Sequence, residues 1–199
     1  MIFTIYERNT INTKKGPGHK KEVTKISNDL RIRACWEKII KNKFDCDITW
    51  EDASNVQKGM GIDLVIKTKK GRRYSIEVKS RNNSTLGKDW IMEIVHHIYD
   101  REDDETRKHL YSKEGWVYNS TAEYILHGTL NKEDSGIVEA IFYSLVTFKT
   151  PKYKSEFKKY KTLWLPTKYP NGKFQLTLNK LIPKEVIKRD ASEFWEWEE

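Results

Sequence analysis

Asp63 and the tripeptide Glu77-Val78-Lys79 are the residues of this chain whose types and spacing are best suited to chemistry. Glu77 follows Asp63 by fourteen residues, and Lys79 lies two positions further on. Carboxylate oxygens are the ligands that hard divalent cations such as Mg²⁺ prefer. A lysine beside them can stabilise negative charge that develops during a reaction. The pattern predicts a divalent-metal site.

The segments that carry these residues show the alternation of β-strands. Apolar and polar side chains alternate over residues 62–67 and again over residues 74–80, which is the two-residue period of a strand. The polar connection between them contains Gly71, which accepts the left-handed conformation that a tight turn needs. The sequence therefore predicts a β-hairpin with the acids and the lysine on its polar face.

The loop length decides whether the two acids can meet. A three-residue loop, Lys69-Lys70-Gly71, would place Asp63 opposite Glu77, with Cβ atoms about 4.5–5.5 Å apart. A two-residue loop would pair Asp63 with Val78 and put the acids on opposite faces. The metal hypothesis therefore requires an odd loop or a bulge. The alternative is a solvated strand face that carries an ordinary Glu and an ordinary Lys.

The two acids and the lysine match the core motif of the PD-(D/E)xK phosphodiesterase superfamily, which the segment 61–80 resembles. Ile62 stands where the family often has proline, and the resemblance becomes looser over residues 25–150. It implies an α/β (α+β) fold with a restriction-endonuclease-like core, in which a central mixed β-sheet is flanked by helices. It also implies metal-dependent cleavage of nucleic acid, usually DNA.

The resemblance implies a role for each residue of the motif. Asp63, Glu77 and the carbonyl group of Val78 would hold Mg²⁺, which Mn²⁺ can replace. Lys79 would orient the attacking water or stabilise the developing negative charge. Hydrolysis would leave a 5′-phosphate and a 3′-hydroxyl.

Glu37 is the candidate for a fourth acidic position. Ser27 suits the N-cap of a helix, on which Leu30, Ala34 and Glu37 fall on one face. In several branches of the family a glutamate of the first helix reaches the site, and Glu37 would match it as a catalytic and metal-binding residue. The alternative is a salt bridge from Arg33 to Glu37 on a partly exposed face, which contributes about 0.2–0.5 kcal/mol.

Glu93 is the only acid in residues 90–99, whose apolar and β-branched composition predicts a strand. It is either an outer-shell or second-metal ligand of the site, or the charge of an edge strand. His96 and His97 are adjacent and point to opposite faces of any strand. They cannot form the i, i+4 pair of a zinc-binding helix.

Local patterns predict the remaining elements. Residues 137–149 are apolar but ambiguous between a helix and a buried strand. Thr150-Pro151 starts a helix, whose alternating lysines and aromatic residues either follow a phosphate backbone or, as we expect, place Tyr153, Phe157 and Tyr160 inward. Residues 194–199 are expected to dock onto the domain. Three further strands are predicted, at residues 44–50, 116–118 and 122–126.

The composition favours a polyanionic partner. The 199 residues contain 37 Lys and Arg against 29 Asp and Glu, which gives a net charge of +8 and a pI near 9.2. Basic residues concentrate before the first helix and at the hairpin tip, where they would neutralise phosphates and release counterions. Ribosomal, heparin-binding and membrane-surface proteins share this charge. DNA is nevertheless the expected partner, and a homodimer is compatible with it.

The length suits a single domain. We expect residues 1–25 to be a flexible basic segment, residues 26–150 to form the nuclease core, and residues 151–199 to be an extension packed on it. No apolar run approaches the ~20 residues that span a bilayer, and no secretory signal is recognisable. A soluble cytoplasmic protein is therefore expected, with Cys35 and Cys46 as reduced thiols.

Three kinds of function are compatible with these observations. The first is a DNA endonuclease, whose sharper version is a Holliday-junction-resolvase-like, structure-selective nuclease. The second is a catalytically silent nucleic-acid-binding module with the same fold. The third is an interaction protein whose basic face binds an acidic partner. The intact acids and lysine of the motif favour the first.

Overall fold

Short alternating segments rich in β-branched and aromatic residues make most of this chain β-structure. The computed structural model describes residues 30–50, 61–82, 89–102, 106–131, 133 and 135–199. The helices are α1 Leu30–Lys43, α2 Trp116–Asn119, α3 Pro151–Glu156 and α4 Lys184–Asp190. The strands are β1 Cys46–Trp50, β2 Leu64–Thr68, β3 Arg73–Asn82, β4 Asp89–Tyr99, β5 His109–Glu114, β6 Tyr124–Leu130, β7 Ile137–Ser144, β8 Thr162–Lys168, β9 Phe174–Pro183 and β10 Phe194–Glu198.

The strands form two sheets. The first has the order β1-β2-β3-β6-β7-β10, and in it β3 and β6 are parallel whereas the other neighbours are antiparallel. The second has the order β5-β4-β9-β8 and is antiparallel throughout. The fold is therefore mixed α+β with a central mixed sheet, and this part of the predicted fold class is confirmed.

Helix α1 covers one face of the first sheet. Its buried side chains are Ile32, Trp36, Ile39 and Ile40, which pack on the apolar face of the β2–β3 hairpin. The predicted helix face was wrong, since Leu30 is 79% exposed. The stripe from Ile32 through Trp36 to Ile40 repeats every four residues and buries far more apolar area than Leu30 and Ala34 can.

The opposite face of the first sheet packs against the second sheet. Side chains of β6 and β7, such as Ile125 and Tyr143, share a core with Trp90 and Met92 of β4. Short helices α2, α3 and α4 add Trp116, Tyr153 and Ile187 to the same core. The prediction that helices flank the central sheet therefore holds fully for one face only, because a sheet supplies much of the cover on the other.

The C-terminal segment is part of both sheets. Strands β8 and β9 pair with each other, β9 pairs with β4, and β10 pairs with β7. The predicted docking of residues 194–199 is confirmed, because β10 adds to the edge of the first sheet. The predicted boundary at residue 150 does not separate two structural units, since strands from both sides of it form each sheet.

The prediction at helix α2 was wrong, whereas the prediction at helix α3 is confirmed. The predicted strand at residues 116–118 is helix α2, because Gly115 O accepts hydrogen bonds from Tyr118 N and Asn119 N and closes a helical turn. Helix α3 begins as predicted, and the Thr150 side chain caps it by accepting a hydrogen bond from Tyr153 N.

None of the described helices combines the length and apolar composition needed to cross a membrane.

The remaining predictions concern ambiguous or undescribed segments. Residues 137–149 form strand β7 followed by a 3-10 turn at Val146–Lys149. The predicted basic segment at residues 1–25 and the predicted N-cap at Ser27 lie outside the described residues.

Candidate functional site

The β2–β3 hairpin has the register that the metal hypothesis requires. Thr68 N donates to Arg72 O at 2.9 Å, and the three residues between them form the loop. Its last residue, Gly71, has φ 84°, in the left-handed region that favours glycine. In the ladder Leu64 lies opposite Ile76. Asp63 comes directly before β2, and Glu77 follows Ile76 in β3, so both acids lie beside the end of this ladder.

Asp63 is joined to β3 by backbone and side chain. Asp63 N donates to Ile76 O at 2.9 Å, and its carboxylate accepts a hydrogen bond from Val78 N at 2.7 Å. In a strand, the N–H and C=O groups of one residue point to the same side. The Val78 carbonyl therefore faces the side where Asp63 lies, as the predicted ligand set requires.

Glu77 is a buried carboxylate, and one of its two oxygens is already paired with a lysine. Its side chain forms an ion pair with the Lys79 ammonium through Oε1, and the residue is 4% exposed. No described group donates a hydrogen bond to Oε2. The nearby Ser120 hydroxyl donates to Gly61 O at 3.1 Å, and its closeness to the carboxylate helps to stabilise the ionised form of Glu77 and so lowers its pKa. Glu77 thus presents a buried oxygen to which none of the described groups donates a hydrogen bond.

Burial and charge set the protonation of this pair. Burial raises the pKa of Glu77, and the neighbouring Lys79 charge opposes this only in part. Burial alone would lower the pKa of Lys79, but Glu77 and Asp63 outweigh it, so the pKa is raised. The ammonium also lies 5.7 Å from the centroid of the Trp116 ring. Lys79 is therefore charged, and it would compete with a cation for the Glu77 carboxylate.

Glu77→Gln should raise the melting temperature of the metal-free protein at pH 7–8. The raised pKa means that ionising Glu77 costs more in the folded than in the unfolded chain. This loss of stability begins above the ordinary Glu pKa of about 4.3 and grows until the folded-state pKa is passed. The glutamine side chain of the variant cannot ionise and therefore avoids this loss of stability. Thermal unfolding in chelator should show the difference shrinking as the pH falls to about 4, and a lower melting temperature for the variant at pH 8 would contradict this account.

Glu37 lies on the other side of the first sheet. Its carboxylate accepts a hydrogen bond from Trp50 Nε1 at 2.9 Å and lies 4.0 Å from the Lys41 ammonium. Helix α1 covers the face that bears Ile76 and Val78, whereas the side chain of Glu77 points to the opposite face. The structure therefore does not bring Glu37 to the predicted site, because the helix face that carries it turns toward the β1 edge.

Glu93 lies in an internal strand. The prediction that it is an edge-strand charge was wrong, because β4 lies between β5 and β9. Its Oε1 is 2.8 Å from His96 Nε2. Burial would raise the pKa of Glu93, but the hydrogen bond with His96 and the charges of Lys79 and Arg81 outweigh burial and lower it. Glu93 is thus an ionised acid that faces the cations of the site.

Sequence reasoning missed the buried polar residues behind the motif. His127 lies opposite Lys79 in the β3–β6 pair, and its ring is 4.7 Å from that of Trp90. Within the described residues neither of its ring nitrogens has a hydrogen-bond partner. Burial, followed by the charges of Arg81 and Lys79, holds the pKa of His127 well below its usual value.

Arg81 and Tyr143 complete this buried layer. Burial lowers the pKa of Arg81 to about 10 and raises the pKa of Tyr143. Arg81 continues the alternation of Glu77 and Lys79, so the strand period was a signal that could have found it. Placing His127 and Tyr143 requires the β3–β6–β7 register, which no local pattern encodes.

The atoms that could bind a metal at this site are all oxygens. Among the described residues, no three His, Cys, Asp or Glu side chains are grouped closely enough to hold a metal. Mg²⁺ often binds through one or two carboxylates and keeps several waters. Asp63, Glu77 with its free Oε2, and the Val78 carbonyl therefore fit Mg²⁺ better than a metal that needs a closed protein cage.

Comparison with known proteins gives no relative for this chain. No protein-family model, curated protein or solved structure matches it. Support for a function must come from the site itself.

Proposed function

We propose that this chain is a metal-dependent nuclease of the PD-(D/E)xK kind that hydrolyses DNA phosphodiester bonds as an endonuclease. The observation that carries the proposal is the buried Glu77 carboxylate, whose Oε2 lacks a donor among the described residues, beside Asp63 and the Lys79 ammonium. A fold gains little from an unsatisfied buried acceptor. A cation ligand is a function that accounts for it.

Each residue of the motif has a role in this proposal. Asp63, Glu77 and the Val78 carbonyl would hold Mg²⁺. When bound, the cation would neutralise charge on the phosphate and lower the pKa of water. The Val78 N–H fixes one oxygen of Asp63 and so orients the carboxylate. Lys79 places a charged ammonium where it can orient the attacking water or stabilise the negative charge that develops on the phosphate.

The basic charges at the hairpin tip support a polyanionic substrate, but fewer of them are free to contact phosphate than the sequence predicted. Lys69 pairs with Asp45 at 2.7 Å, and Arg72 pairs with Glu193. These pairs occupy two of the predicted phosphate contacts. Lys67 and Lys70 remain exposed on the same tip and, with Arg73, are the better candidates for phosphate contacts.

The fold supports the proposal at a coarser level. A central mixed sheet carries the acids at one end of a hairpin, and helix α1 covers one of its faces. We therefore propose that the first sheet and α1 are the restriction-endonuclease-like core. The second sheet is an addition that closes the site from the other side.

The test is cleavage of a labelled DNA panel by the full chain. Linear, nicked, supercoiled and four-way-junction DNA are incubated with Mg²⁺, Mn²⁺ or chelator. We expect cleavage with either metal and none with chelator. Preference for the junction would support the structure-selective version, and conversion of supercoiled circles to linear molecules would support a general endonuclease. No cleavage of any substrate with either metal would refute the proposal.

A catalytically silent nucleic-acid-binding module is the second candidate. It is favoured by the ion pair between Glu77 and Lys79, which already balances one carboxylate, and by the lack of a three-ligand group among the described side chains. Such a module would bind DNA with steep salt dependence. Its melting temperature would not respond to Mn²⁺, whereas a metal site would raise the melting temperature with the logarithm of the cation concentration above Kd.

A further inference from the structure

Glu93 lies at an irregularity of strand β4. The pairing of β4 with β9 shifts register between Glu93 and Val95, which marks a β-bulge. Bulges re-aim side chains and are over-represented next to active sites. The one-residue shift puts Glu93 and His96 on the same face of β4, where strict alternation would have separated them.

The backbone of Glu93 packs closely against Gly115, the residue before Trp116. A Cβ atom on Gly115 would lie 2.2 Å from Glu93 O, so only glycine allows this close approach. Gly115 N donates to Ile94 O at 2.8 Å. The next residue, Trp116, has its ring 5.7 Å from Lys79 Nζ. A continuous set of contacts therefore joins Glu93 to the ammonium of the motif.

A directed chain of hydrogen bonds holds the Glu93 carboxylate. The Tyr169 hydroxyl donates to Gln175 Oε1, which leaves Gln175 Nε2 as a donor to His96 Nδ1 at 2.7 Å. The Thr177 hydroxyl lies 3.1 Å from the same ring nitrogen. Since Nδ1 accepts, the imidazole proton is on Nε2, which faces Glu93 Oε1 at 2.8 Å. One oxygen of Glu93 is thus fixed and the carboxylate is oriented.

The charges around the motif balance only when Glu93 is counted. A divalent cation would leave this cluster with an excess of two positive charges, and loss of Glu93 would raise the excess to three. Lys79 pairs with Oε1 of Glu77, so a cation that took both oxygens of Glu77 would displace the ammonium. The charged side chains concerned are Asp63, Glu77 and Glu93 against Lys79, Arg81 and Lys149.

We propose that Glu93 is a further acidic residue of the metal site, which accepts the Lys79 ammonium when a divalent cation occupies Asp63 and Glu77. His96 is the positioning residue that holds Glu93 in place. This inference rests on the proposed function. It assigns a purpose to the bulge, to Gly115 and to the chain of hydrogen bonds, none of which the hairpin motif requires.

The test is Mn²⁺ binding to the full chain without nucleic acid, measured by calorimetry. Glu93→Gln should weaken binding about tenfold, the lower end of the range for losing a supporting residue around a metal. His96→Ala should weaken it less, and His96→Gln should restore it because the amide nitrogen can replace Nε2 as the donor. The matched control is Glu114→Gln, an exposed acid of β5, which should bind as the parent does.

The possible outcomes separate this inference from the proposed function. Parent-like binding by Glu93→Gln, with loss of binding in Asp63→Asn, would overturn the role of Glu93 and leave the metal site standing. Absence of Mn²⁺ binding by the parent would overturn both. If Glu93→Gln does not fold by circular dichroism, the pair His96→Ala and His96→Gln decides. Equal affinities in that pair would overturn the positioning role and with it the inference.

Discussion

Replacement of Asp63 by asparagine is expected to abolish DNA cleavage and the cation response of the protein together. The carboxylate accepts from Val78 N at 2.7 Å, and an amide oxygen can keep that contact while it loses the charge that attracts a cation. We expect cleavage to fall by at least about a thousandfold, equivalent to ~4 kcal/mol of transition-state stabilisation. Cleavage rates with Mg²⁺ and thermal unfolding with and without Mn²⁺ measure the two effects.

A matched control is Asp47→Asn, which removes an exposed carboxylate from the neighbouring strand β1. It should leave cleavage and the thermal response unchanged. Lys79→Ala should also lose cleavage, yet it should keep the response to Mn²⁺, because the ammonium competes with a cation for Glu77. Full activity in either Asp63→Asn or Lys79→Ala would show that the hairpin is not the catalytic centre.

Trp36→Ala is expected to cost about 3–5 kcal/mol of unfolding free energy, the range for truncating a buried aromatic residue. The indole is 1% exposed, and its Nε1 donates to Ser80 Oγ at 3.2 Å. Truncation would leave a cavity between α1 and the hairpin and an acceptor without its donor. Urea-induced unfolding followed by circular dichroism measures the loss.

Leu30→Ala is the control on the same helix. Leu30 is 79% exposed, and exposed substitutions usually change stability by less than about 0.5 kcal/mol. The pair of variants tests which face of α1 is buried. If Leu30→Ala cost as much as Trp36→Ala, the helix would have to be rotated relative to the sheet.

The hairpin could be predicted from the sequence because all of its determinants are local. Alternation defined both strands, and Gly71 supplied the left-handed residue of a three-residue loop. The same register places the two acids beside the end of the ladder. Helix α1 shows where the same reasoning fails. Leu30, Ala34 and Glu37 share a face in any helix, but only the packing of Trp36 against the sheet selects the face that is buried.

Other parts of the site could not be predicted, because distant pairings create them. Gln175 reaches His96 only through the antiparallel pairing of β4 with β9. His127 meets Lys79 only through the parallel pairing of β3 with β6. Strands β8 and β9 also have no chemical motif to draw attention to them. Periodicity describes each strand separately and contains no information about its partner.

The pairing of β4 with β9 has a consequence for the order in which the molecule is assembled during synthesis. Asp89 pairs with Pro183, so the two strands can pair fully only after residue 183 has been synthesised. The hairpin needs no such delay, because its strands are neighbours and such local contacts form early. A nascent chain could therefore bear a formed hairpin whose Glu93 is not yet held by His96 and Gln175. The hairpin that carries Glu77 can therefore form before Glu93 is oriented, and the surroundings of Lys79 are completed only when β9 has paired with β4.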